Sequence, residues 1–96
     1  MPIGQIMQFS GGSIAKYDAV KAELGWDGGE KGKPEGLLAH AAGATDDGFC
    51  VIEWWSSQGA WDKFFGDRLR PAFEKVGDIP QPQVTNFEVH ASYPTA

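Results

Sequence analysis

Cysteine is almost missing from this chain: Cys50 stands alone, so no internal disulfide can form. Its setting in an apolar stretch suits a small buried hydrophobe better than a nucleophile. Runs of Lys or Arg are absent as well. The 8 basic residues against 13 acidic ones leave a net charge of -5, which offers no footprint for a phosphate backbone and excludes nucleic acid as an expected partner. No segment approaches the ~18 uninterrupted apolar residues of a membrane helix, and MPIGQIMQFS lacks the basic start and apolar run of a signal peptide. The expected location is the cytoplasm, with no membrane contact. There are no internal repeats and no low-complexity stretch, and 96 residues read as a single domain, 1–96.

What is present alternates between strand and helix patterns. Ile3 to Phe9 reads as a first strand, with Ile3, Met7 and Phe9 on one face and Ile6 on the other. Ser10, Gly11 and Gly12 end it, Ser13 caps a helix through SIAKYDAVKAEL, and Ile14, Tyr17, Val20 or Lys21, and Leu24 form its inward stripe. The segment GWDGGEKGKPE reads as a flap or linker. Its glycines match neither GxGxxG nor GxxxxGK[ST], and its one large apolar residue, Trp26, suits a lining over a helix end or an opening. Gly36 to Ala44 is a second strand, and Thr45-Asp46-Asp47-Gly48 turns it into a third, GFCVIEWWSS. From Ser57 an amphipathic helix carries Trp61, Phe64, Phe65, Leu69, Ala72, Phe73 and Val76, with Pro71 expected to kink or restart it and Gly77 to end it. A last strand is expected over Gln83 to Tyr93.

The order βαββαβ, with two right-handed crossovers around a hairpin, predicts the ferredoxin-like α+β fold: a four-stranded antiparallel sheet with both helices on one face. The third strand is apolar on both sides, with Phe49, Val51, Glu53 and Trp55 against Cys50, Ile52 and Trp54. One side packs on the helices, and the other needs a cover. The same face of a second copy is the economical one, giving a homodimer of two packed sheets, a dimeric α+β barrel.

The run HAAGATDDGFCVIEWWSSQGAWDKFFGDRLRPAFEKVG, closed by EVH near the C-terminus, resembles small bacterial proteins of the dimeric α+β barrel superfamily, close to the antibiotic biosynthesis monooxygenase-like domains. The similar features are a histidine in the second strand, a DDG turn, an acid and tryptophans in the third strand, a Phe-rich helix ending in Leu-x-Pro, and a final Val-His. The resemblance implies a pocket between sheet and helices that holds a polycyclic aromatic substrate, and oxygen chemistry without metal or flavin. The haem-degrading branch uses an asparagine on the first strand and a histidine on the second helix, and this chain has neither.

His40 and Glu53 are the candidate catalytic pair. If the DDG turn closes an even-numbered loop, His40 shares a face with Val51, Glu53 and Trp55 and lies opposite Glu53 or Trp55; a three-residue loop with a bulge would pair it with Trp54. A histidine oriented by a carboxylate in an apolar wall can act as a general base, and the same pair can instead satisfy itself as a buried structural contact. Tyr17, Trp54, Trp55, Trp61, Phe65 and His90 are candidates for the wall that binds a small apolar or aromatic molecule; solid packing of the same rings would leave no cavity. His90 is placed to approach the other subunit's His40 if the last strand crosses over. The spacing H-x12-E-x36-H matches no compact ligand motif, so no metal and no cofactor are expected. Two readings follow, a cofactor-independent monooxygenase and a non-catalytic dimer, and they differ in whether a cavity exists beside His40.

Overall fold

A computed structural model describes residues 1–93, whose elements run β1 (Ile3–Ser10), α1 (Ile14–Leu24), β2 (Leu37–Thr45), β3 (Gly48–Trp55), α2 (Gln58–Phe64), a π-helical turn (Phe65–Leu69), α3 (Arg70–Val76) and β4 (Gln83–Glu88). The sheet order is β2-β3-β1-β4 and every pair is antiparallel, as the βαββαβ order predicts. The helices cover one face. Ile3, Met7 and Phe9 of β1 and Phe49, Val51 and Trp55 of β3 meet Val20, Trp61, Phe64, Leu69 and Ala72 there. On the other face Ile52 and Phe87 stand about half exposed. Phe87 lies across Gly4, where any Cβ would run into its ring.

Local chemistry sets the boundaries. The Ser13 hydroxyl accepts from the Lys16 N–H at 3.2 Å and the Ser57 hydroxyl from the Ala60 N–H at 3.1 Å, so each helix begins at a serine cap. Pro71 does interrupt the second helix. It cannot donate to the preceding turn, and the backbone adapts by widening: the Arg70 N–H reaches back to the Phe65 carbonyl before α3 resumes. The hairpin closes with Thr45 paired to Gly48, leaving Asp46 and Asp47 as a two-residue loop, and neither aspartate takes a positive φ.

The last strand is shorter than the sequence pattern suggests, ending at Glu88 rather than Tyr93. Its partner gives the reason. Glu88 pairs with Ile3, the first residue of β1, and before it comes Pro2, which has no N–H to extend the ladder. Only the Val89 N–H to Pro2 carbonyl bond, 3.1 Å, follows. Among the described residues no helix is long and apolar enough to cross a membrane.

Replacing either capping serine with alanine is expected to lower stability by about 1 kcal/mol, read as a shift in urea midpoint with an unchanged slope.

Candidate active site

The two-residue turn sets the face of His40, and a β-bulge beyond it sets that of Leu37. Leu37 pairs with Trp55 and Ala39 with Trp54, so Leu38 is an extra residue, and both Leu37 and His40 point to the helix side despite their odd separation. His40 then lies directly opposite Glu53, which lies opposite Gln5 of β1, which lies opposite Asn86 of β4. One row of polar side chains thus crosses all four strands on the inner face of the sheet, with apolar residues on either side of it.

The Glu53 carboxylate is almost wholly covered and is met by donors. His40 Nδ1 is 2.7 Å from Oε2, and Trp55 Nε1 donates to Oε1 at 3.0 Å. Gln5, fully buried, adds a third bond: with its amide nitrogen toward the acid it donates to Oε1 at 3.3 Å, and its oxygen accepts from Trp61 Nε1 at 3.3 Å. A carboxylate facing Nδ1 fixes the histidine tautomer, so Nδ1 carries the proton and Nε2 presents a lone pair. That lone pair accepts from the Tyr17 hydroxyl at 2.6 Å. The order Tyr17, His40, Glu53 is a continuous hydrogen-bonded relay. Burial above all, then the negative charges of Glu53 and Asp18, raises the pKa of the Tyr17 phenol.

Trp26 closes the site from above. Its ring stands edge-on to His40, with centroids 4.8 Å apart, and the Lys21 ammonium lies 5.7 Å from its ring centre. The loop that carries it is held rather than loose: one Arg68 guanidinium nitrogen donates to both the Leu24 and the Gly32 carbonyls, each at 3.0 Å. Gly32, at φ 77°, admits no side chain because a Cβ would collide with the Gly25 carbonyl.

Beneath Trp26 is an apolar cavity of about 60 Å³, walled by Tyr17, Lys21, His40, Phe49 and Phe73 among others. That is room for a few waters, and well below the ~150 Å³ of an engineered cavity that holds benzene. Beside it, toward β4, runs an open groove of about 640 Å³ lined by Trp61, Phe65 and Val84. Met7, Leu69, Phe73 and Ile79 border both spaces and form part of the partition between them.

The structure therefore joins His40, Glu53 and Tyr17, sets Trp55 beneath Glu53 as an anchor, and leaves Trp61 and Phe65 on the groove. Of the expected wall residues, three line neither space, the wholly buried Trp55 among them. Trp54 pairs with Ala39 and faces away from the helices, because strand side chains alternate and Trp55 takes the inward place. His90 is exposed beyond the end of β4 and touches neither space. Gln5 escaped the sequence reading, although a lone polar residue in the inward row Ile3, Gln5, Met7, Phe9 was its signal. Lys21 was seen only as an alternative to Val20 in a helix stripe.

By sequence the chain matches no protein-family profile and no curated protein. Its architecture does match solved structures. SnoaB, a cofactor-independent oxygenase from Streptomyces nogalater, superposes with a TM-score of 0.70 over 98% of each chain at 14% identity. At this identity the likeness is one of fold, a four-stranded antiparallel sheet with helices on one face. The same fold appears in Rv0793 from Mycobacterium tuberculosis, with a TM-score of 0.72, 17% identity and 97% of this chain and 99% of that one covered. It appears again in a monooxygenase from the gene ActVA-Orf6 of Streptomyces coelicolor, solved with nanaomycin D, with a TM-score of 0.56, 18% identity and coverage of 99% and 92%.

Gln5→Leu is expected to cost about 1–3 kcal/mol, since it strips a donor from Glu53 and an acceptor from Trp61, and denaturant unfolding measures the loss. The Tyr17 shift carries its own sign: above the ordinary tyrosine value of about 10, the unfolded chain has released a proton that the folded chain still holds, so stability falls as pH rises through that window. Tyr17→Phe should flatten the alkaline limb of a stability-against-pH curve.

Proposed function

We propose that the protein is a homodimer that binds a small, largely apolar aromatic molecule between sheet and helices and oxygenates it without a cofactor, with His40 and Glu53 as its acid/base and orienting groups. The observation that carries this reading is the bonded His40–Glu53 pair on the wall of an apolar cavity. A general base held in one tautomer by a buried carboxylate, in surroundings that exclude water, suits proton abstraction from a bound organic molecule. SnoaB and the ActVA-Orf6 protein, described as a cofactor-independent oxygenase and a monooxygenase, lend support through their shared fold.

Cavity size sets a condition. An aromatic ring does not fit in about 60 Å³, so the ligand must push aside the partition of Phe73 and Ile79 and extend into the groove. Gly77 and Asp78, both at positive φ, sit just before Ile79, in the link where a small backbone adjustment moves its side chain. The homodimer is supported by the half-exposed Ile52 and Phe87 on the uncovered sheet face, joined there by Ile6 and Trp54.

Oxygen uptake with a panel of hydroxylated aromatics, such as naphthohydroquinones, tests the reading. His40→Ala should reduce turnover about a hundredfold or more with the dimer intact, as loss of a general base does. Ile79→Ala should strengthen binding of two-ring ligands by opening the partition; weaker or unchanged binding would count against the groove. Light scattering at micromolar concentration should give a dimer, and Ile52→Asp should convert it to a monomer. No uptake with any member of the panel would favour the non-catalytic dimer.

A further inference from the structure

We infer that Tyr17 is itself a catalytic residue: its hydroxyl, rather than the His40 ring, meets the substrate, and it relays the proton of an acidic aromatic hydroxyl to His40. This rests on the reading of the cavity as the ligand site. Both nitrogens of His40 are already engaged, Nδ1 by Glu53 at 2.7 Å and Nε2 by Tyr17 at 2.6 Å, and Trp26 packs edge-on against the ring. A substrate can reach neither nitrogen without breaking one of those bonds. Tyr17 is different, because its oxygen donates one bond and keeps its own acceptor capacity while the residue lines the cavity. One helical turn further along α1, Lys21 lines the same cavity. Its ammonium lies toward Trp26 and the loop, so the polar group this otherwise apolar space gains is a phenolic oxygen backed by a base. That combination recognises a molecule bearing a weakly acidic aromatic hydroxyl, which becomes an anion in place.

The step balances within the site. The substrate O–H breaks as its proton forms a bond to the Tyr17 oxygen, and the proton Tyr17 held moves to His40 Nε2. The products are a substrate oxyanion, a neutral tyrosine and an imidazolium. Glu53 stabilises the imidazolium across Nδ1, and no electron is transferred to or from the protein. The charged and titratable groups around Tyr17 are Asp18 and Lys21 on its own helix, His40 on β2 and Glu53 on β3. Burial and the two carboxylates disfavour a free tyrosinate, so the two protons move together.

The test uses 4-nitrophenol, whose colour reports its ionisation, and its methyl ether 4-nitroanisole, which has no proton to give, each titrated into the full-length protein across a pH series. Bound 4-nitrophenol is expected to ionise at a lower pH than in free solution. In Tyr17→Phe that shift should vanish and the affinity for the anion fall about tenfold to a hundredfold, the range expected for a lost hydrogen bond to a charged group, with 4-nitroanisole bound as before. His40→Gln, which leaves the phenol ring in place, should abolish the ionisation shift too. Unchanged ionisation in either variant overturns the relay, as does a wild-type protein that binds both probes without ionising the phenol. If neither probe binds the wild type, the cavity is not a ligand site, and both the proposed function and this inference fall; oxygen uptake is scored separately and does not affect the outcome.

Discussion

The buried carboxylate of Glu53 is the constraint on which the rest of the arrangement depends. A charge taken out of water is tolerable only when donors replace its hydration, and here they come from three strands: Gln5 of β1, His40 of β2 and Trp55 of β3 itself. Because Gln5 and His40 occupy one cross-strand row with Glu53, the acid fixes register as well as charge. A one-residue slip of either neighbouring strand would turn its donor to the opposite face and strand the carboxylate. The same requirement accounts for the bulge at Leu38, which lets Leu37 fill the core next to Trp55 while His40 still reaches the acid.

From that anchor the polar chemistry grows outward along a single line. Trp55 and Gln5 hold Glu53, Glu53 orients His40, and His40 takes a bond from Tyr17, which lies at the cavity wall. Each group is deeper than the next, so the most rigid end of the relay is in the sheet and the most accessible end is on a helix. The buried members thereby hold the tautomer and orientation of His40. The aromatic rings supply the dry surroundings, and the loop carrying Trp26 completes them because Arg68 ties its two ends to the second helix.

The third strand shows how one sequence can serve two environments. Its inward residues Phe49, Val51, Glu53 and Trp55 are buried by the helices, whereas Ile52 on the reverse is half exposed. A sheet covered on one side ordinarily turns polar residues outward, and this strand does not.

The alternation and turn chemistry of the sequence by themselves determined the element order and the antiparallel sheet. They left His40 facing Glu53 or Trp55 with an even loop and Trp54 with an odd one, which the two-residue turn of the structure resolved for Glu53. Those features are local: side-chain period, serine caps and a two-residue turn act within a few residues of each other, so they can be read along the chain. The tertiary structure alone decided the rest. Pairing with β1 ended β4 at Glu88 because Pro2 has no N–H, and so left His90 outside. Which face of β3 the helices cover was settled there too, and it left Trp54 outward and Trp55 inward. Gln5, Tyr17 and Lys21 joined the site only when β1 and α1 came to rest beside β3, since a hydrogen bond between residues distant in sequence depends on how whole elements pack, and no periodicity within one element records it.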